Sequence, residues 1–391
     1  MKPKSTQNQN LFQEFSRIFG NSNTETKIFH APGRVNIIGE HIDYNGGYVL
    51  PCAIDRGTYA LIRKRGDRTI RFASTNFDTM AKISLNNVVY DGSHDWANYP
   101  KGIVHYIQQD GHNISGFDML FSGNIPNGAG LSSSASIELV TATAINSVFS
   151  LGYEMIDLVK MAQKSENEFC GVNCGIMDQF AVGMGKKDYA IYLHCDTLEY
   201  KYVPLVLGDY QIIIMDTNKP RQLNESKYNE RRTECEQALA ILSKARNIGQ
   251  LTDLEPGTYK ILEYLIHDDI IRKRARHVVH ENYRVRQAVL ALESGDIVTL
   301  GKLLQKSHTS LRDDYEVSCL ELDTIVEEAL KHPACLGARM TGAGFGGCAI
   351  AIVKKNDITQ FVGSISGSYE KIVGYAPAMH VCESGDGARE I

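Results

Sequence analysis

The sequence predicts an α+β protein long enough for two domains, and three patterns carry that expectation. β-branched and aromatic runs fill the first third, helical spacing dominates the second half, and a strand, glycine turn, strand pattern returns near residue 340. With 391 residues, 43% of them hydrophobic, the chain can enclose two modest cores. The boundary is weakly marked and is placed near Val206, giving segments 1–205 and 206–391.

Residues 27–31 (KIFHA), 46–55 and 58–73 read as strands, with RGDR at 65–68 as a turn. A further strand at 118–124 delivers the chain into PNGAGLSSSAS at 126–136. From Ser134 to Val148 the apolar residues Ile137, Val140, Ala144 and Val148 follow helical spacing. Residues 155–169 read as a second helix, ahead of CGIMDQFAVG at 174–183 and strands at 189–194 and 211–216. The second half offers helices at 231–245, 263–288 and 322–331. ARMTGAGFGGCAIAIV at 338–353 is the strand, turn, strand unit, followed by a helix near 357–365 and a last strand at 378–384. No internal repeat of roughly 20–50 residues is visible.

Composition removes several functional classes. A formal charge of -5 argues against nucleic acid, whose partners carry basic stripes. The opening MKPKSTQNQN lacks the apolar core of a signal peptide, and no apolar run approaches the roughly 18 residues that cross a bilayer. The expected place is the cytoplasm. Nine cysteines are too irregularly spaced for a disulfide scaffold. Cys170 and Cys174 could share a helix face, but no second Cys or His pair completes a zinc site.

Three segments carry chemistry. In PNGAGLSSSAS, Gly128 and Gly130 let backbone N–H groups approach an anion, and the helix that follows points its N-terminal dipole at it. Ser132, Ser133 and Ser134 add hydroxyls for phosphate oxygens or Mg²⁺, although a glycine turn with serine caps would read the same way. No GK[ST] follows, so this is not a Walker A loop. In GRVNIIGEHIDYNGG at 33–47, Arg34, Glu40, His41 and Asp43 crowd a glycine-rich stretch beside apolar VNII, which suggests a cleft wall. Glu40 and Asp43 suit a sugar, since carboxylates accept several hydroxyl protons. Asp178 lies among apolar residues after Gly175, where a lone carboxylate requires a cation; Arg34 is the natural partner.

The resemblance then becomes specific. Residues 126–136 resemble the ATP motif of the GHMP kinases, residues 33–50 are similar to the galactokinase signature within that family, and TGAGFGGC at 341–348 matches its third motif. Departures are small: Ile42 where Thr is common, Asn127 where Leu is common, and Ala343 for a Gly.

The resemblance implies two α+β domains of GHMP-kinase type with the active site in the cleft between them. It implies transfer of the ATP γ-phosphoryl group to the C1 hydroxyl of D-galactose, with Mg²⁺ as cofactor and no obligate protein partner. Gly128, Ala129, Gly130, Leu131, Ser132, Ser133 and Ser134 become the ATP loop, and Ser134 with Glu166 the metal ligands. Asp178 becomes the general base and Arg34 the stabiliser of the transition state. Glu40, His41, Ile42 and Asp43 would hold sugar hydroxyls, with Tyr228 against the sugar. From residues alone Glu166 reads as a solvated helical glutamate and Tyr228 equally as packing. The rivals are a kinase of N-acetylgalactosamine or arabinose, and a catalytically silent sensor of sugar and ATP.

Overall fold

The computed structural model describes residues 4–126, 130–219 and 225–391. Its first sheet is built on β1 (Thr26–Asn36) and β3 (Pro51–Lys64), whose antiparallel register runs from Thr26↔Arg63 to Asn36↔Pro51. β4 (Thr69–Ser74), β5 (Ala81–Ser84) and β6 (Phe117–Gly123) extend the sheet on the β3 side. The pleat sorts the side chains of β3 and β6. Leu61 and Leu120 face one way, while Ala60, Ile62, Met119 and Phe121 face the main core. Helix α1 (Lys4–Phe19) covers the first face with Leu11, Phe15 and Phe19. Helix α3 (Ser133–Phe149) packs on the other face against β1 and β3, beside α2 (Asn98–Gln109), α4 (Met155–Lys164) and α5 (Met177–Met184). A small third sheet joins β2 (Tyr48–Val49) to β7 (Tyr189–His194) and β8 (Tyr200–Pro204).

The second layer is an antiparallel sheet of β10 (Cys335–Thr341), β11 (Cys348–Lys354), β9 (Tyr210–Asp216) and β12 (Ala378–Val381), in that order. β11 is buried from Cys348 to Val353, so it reads as a continuous apolar run without alternation. Helices α6 (Glu225–Leu242), α7 (Pro256–Leu262) and α8 (Asp269–Glu293) form one group, and α9 (Ile297–Asp313), α10 (Leu320–Lys331) and α11 (Ile358–Val373) pack about the sheet. α9 lies close on β10 because Gly301 meets Gly337: a Cβ on Gly337 would sit 2.2 Å from the Gly301 carbonyl oxygen.

The chain changes sheet between Pro204 and Tyr210, yet its last residues go back to the first one. β13 (Arg389–Glu390) pairs with Phe29 and His30 of β1, and Ser384 bridges to Ile54. Helices α1, α2, α7 and α9 and strands β5, β8 and β13 lie where the sequence reading placed no element. Among the described residues no helix is long and apolar enough to cross a membrane, and no group of three or more His, Cys, Asp or Glu is arranged to hold a metal ion.

Candidate active site

A bulge in β1 sets up the site. The register shifts between Pro32 and Arg34, and Gly33 lies so close to the loop before α3 that a Cβ there would be 2.7 Å from the Leu131 carbonyl oxygen. Arg34 N–H donates to that same carbonyl at 3.2 Å. Its guanidinium, nearly buried, donates from Nε to Asp178 Oδ1 at 2.8 Å, from Nη2 to Oδ2 at 2.7 Å and from Nη1 to the Gly130 carbonyl at 2.7 Å. This planar fork onto a carboxylate is the strong form of the ion pair. Asp178 sits in the first turn of α5, where the helix dipole favours a negative charge, and its Oδ2 also accepts from Ser132 Oγ at 2.7 Å. The pair expected from the sequence is therefore formed, and Ser132 is turned onto Asp178. Leu131 is buried in the core, so only its backbone is available to a ligand. Gly128 and Ala129, the other expected loop residues, lie outside the described residues, as does Asn127. Gly130 takes φ 73°, a left-handed turn that feeds Ser132, Ser133 and the start of α3.

Glu166 occupies a π-helical turn, Ser165–Phe169, after α4. It is buried, accepts from Gln179 Nε2 at 2.7 Å, and has the Ser134 hydroxyl within hydrogen-bonding reach. Burial, and then the charge of Asp178, push its carboxyl up to about 7. The buried, partnered Glu166 is not the solvated glutamate that its local sequence suggests.

The segment 36–45 leaves β1 and turns through Gly39 (φ 106°) and His41 (φ 62°) into a single 3-10 turn, Asp43–Asn45. Glu40 is held from the second sheet: its Oε1 accepts from Arg339 Nη2, from Thr341 Oγ1 at 2.9 Å and from Gly342 N–H at 2.8 Å. That leaves Glu40 at most one carboxylate oxygen for a sugar, fewer acceptors than expected. His41 donates from Nε2 to the Ala343 carbonyl at 3.1 Å, so its Nδ1 accepts from Tyr44 Oη at 2.8 Å. Burial lowers its pKa to about 4, and the ring is neutral. Both nitrogens are engaged, so His41 offers the cavity a ring face instead of the expected polar contact.

Ile42 corrects a second expectation. It is 0% exposed and packs in the core, because the turn that brings Asp43 to the cavity rotates the preceding side chain inward. Asp43 is partly exposed and lines the cavity. Burial of its carboxyl, with the charge of Asp178 next, pushes it up to about 7. Tyr228 of α6 stands beside His41 and Tyr44, ring centroids 5.7 Å and 5.1 Å away, and lines the same cavity.

These groups converge on one cavity of about 540 Å³, lined by Arg34, Asp178, Asp43, Tyr228 and residues 341–347. The sequence reading missed Arg339 and Thr341, which fix Glu40, and Lys219, which lines the cavity and pairs with Glu321 at 3.0 Å. A signal for Arg339 existed: a lone arginine in an apolar strand beside a glycine turn requires a buried acceptor.

The two-layer fold, with Gly130 and Ser132 bonded to an arginine–aspartate pair, is that of a GHMP kinase. The models for the GHMP kinases N terminal domain and the GHMP kinases C terminal match residues 98–186 and 288–371, and the galactokinase galactose-binding signature matches residues 13–64. The chain belongs to the galactokinase family. The galactokinase of Clostridium tetani is 52% identical over 382 residues, covering 97% of each chain, and that of Enterococcus faecalis is 52% identical over 384 residues, covering 97% of this chain and 99% of the relative. The crystal structure of Lactococcus lactis galactokinase complexed with galactose matches with a TM-score of 0.95 at 44% identity, covering 98% of this chain and 99% of that one. A mevalonate kinase structure at 19% identity and TM-score 0.62 covers 91% of this chain and 98% of that one, and shares the fold alone.

Proposed function

We propose that this chain transfers the γ-phosphoryl group of ATP to the C1 hydroxyl of D-galactose, giving galactose 1-phosphate and ADP. The observation that carries this reading is the two-pronged Arg34–Asp178 pair on the same cavity as Asp43, in a chain half identical to galactokinases. A binding protein has no need of a base aimed into its sugar cavity, which disfavours the silent sensor.

Asp178 orients the attacking hydroxyl and takes its proton late, since a sugar hydroxyl is far less acidic than a carboxylic acid. Arg34 keeps Asp178 in place and presents its donors to the charge that develops on the transferring group. The backbone between Gly130 and Ser133, at the start of α3, faces the phosphates. Asp43 accepts from sugar hydroxyls, and Tyr228 and His41 supply flat walls. Ser134 and Glu166 are hard oxygen donors within reach of one another, which fits Mg²⁺, an ion that takes few protein ligands and leaves the rest to phosphate and water. When bound, Mg²⁺ would neutralise phosphate charge. We place the protein in the cytoplasm, where ATP and free sugar meet.

The test is ADP release by the wild-type protein across galactose, glucose, N-acetylgalactosamine and arabinose. Galactose should give the highest kcat/KM and glucose very little, because a site that bonds a hydroxyl rejects its misplaced isomer strongly. Preference for the acetylated sugar, or no sugar-dependent turnover at all, would remove this reading.

A further inference from the structure

Glu281 is a buried carboxylate that the chemistry above leaves unused. It lies on α8, 0% exposed, and its Oε1 accepts from the backbone N–H of Gly39 at 3.0 Å and from Ser307 Oγ at 2.6 Å. Its Oε2 accepts from Arg284 Nε at 2.6 Å. Gly39 immediately precedes Glu40 and has the backbone angle φ 106° that only glycine adopts readily. On the same helix, one turn earlier, His277 Nε2 donates to the Glu40 carbonyl at 3.1 Å, and next to Glu281 the Asn282 side chain accepts from Tyr48 N–H at 2.9 Å. The spacing of four between 277 and 281 puts both groups on one face of α8, and Val285, four further on, closes against Gly39.

We propose that Glu281 is a positioning residue for sugar recognition, setting the peptide between Gly39 and Glu40 so that Glu40 and Asp43 reach the cavity in the right orientation. A backbone N–H in a buried turn needs an acceptor, and here a charged one from a distant helix supplies it. A left-handed glycine turn has several nearby conformations open to it. The carboxylate selects one of them and ties it to the helical layer, away from the phosphate loop. The effect should fall first on the sugar, because the Arg34–Asp178 pair and the Gly130–Ser132 loop bond to one another and take none of their hydrogen bonds from Glu281.

This inference rests on the galactose reading, and the experiment separates the two. Galactose-dependent ADP release by the wild type comes first; its absence sinks the functional reading, whatever the variants do. With the wild type active, Glu281→Ala should raise galactose KM about 5- to 100-fold, the range for one lost buried hydrogen-bond partner, and shift ATP KM less than about twofold. The control is Val289→Ala, a buried truncation on the same helix, which should lower Tm and leave galactose KM within about twofold. Glu281→Asp keeps the charge and withdraws it by one methylene. It should fold even where the alanine variant does not, and still raise galactose KM several-fold. An unchanged galactose KM in the folded Asp variant overturns the proposal. So does an equal rise in both KM values, or a rise in galactose KM for Val289→Ala, since each marks general loosening.

Discussion

The two sides of the cavity are held in opposite ways. The proposed phosphate side is assembled within the first layer: Arg34 from β1, the Gly130–Ser132 loop and Asp178 from α5 bond directly to one another. The proposed sugar side is contributed by the first layer and held by the second. Segment 36–48 comes from β1 and β2, but Arg339, Thr341, His277, Glu281 and Asn282 fix it in place. On the proposed assignment, the groups for phosphoryl transfer stay within one layer, whereas the sugar is chosen where the two layers grip a loop. Losses on the phosphate side should appear in turnover, and losses on the sugar side in sugar affinity and in stability.

Asp178→Asn gives the largest expected effect. It keeps the shape of the residue and one acceptor for Arg34 but cannot take a proton, so kcat should fall about 10²–10⁴-fold. Steady-state kinetics on folded protein checks this, and near-normal turnover would break the phosphate side of the comparison. Arg339→Met comes next. It leaves the Glu40 carboxylate buried without its cation, and breaking such a pair costs about 3–5 kcal/mol. Urea denaturation reads the loss directly; a loss under about 1 kcal/mol would mean that the second layer does not hold the sugar loop. The smallest effect is a pH dependence. Asp43 titrates near 7, raised by burial and by Asp178, so below that value it is protonated and loses acceptor capacity. Galactose KM should rise as pH falls through 7, by up to about tenfold between pH 8 and pH 6. Asp43→Asn should flatten that profile, and an unaltered profile would assign the titration to another group, such as Glu166.

The Arg34–Asp178 pair and the helix start after Gly130 were legible in the sequence because each is announced by its local residues. A glycine–serine run announces a loop and a helix start, and a carboxylate among apolar residues announces a cation. The sugar side was legible only as a set of residue types. Glu40 and Arg339 are 299 positions apart, and nothing near Glu40 says that one of its oxygens is already engaged. Ile42 was misplaced for a similar reason: which side chain of a turn faces the cavity depends on φ at His41, and spacing does not reveal it. Of the missed helices, α2 carries Gly102 inside it, a signal against a helix, while Pro100 falls in its first turn, where proline is tolerated. Gly102 is there because a Cβ would come 2.1 Å from Ser165 Oγ, a packing demand visible only after folding. α1 could have been found. Leu11, Phe15 and Phe19 recur every fourth residue, but the polar residues before them masked the stripe.

The return of the last strand has a consequence during synthesis. Glu390 sits on β1 and pairs with Lys27, 363 residues earlier. At about 5–20 residues per second, roughly 20–70 s pass between the emergence of the two strands. Through that interval the outer edge of β1 is an open ladder, able to recruit a foreign strand. The residues that close it are made long after β1, so completion of the first sheet waits for them. A nascent or truncated chain lacking residues 382–391 should carry the aggregation hazard that the finished protein has buried, even though every residue of the cavity described above has already been made.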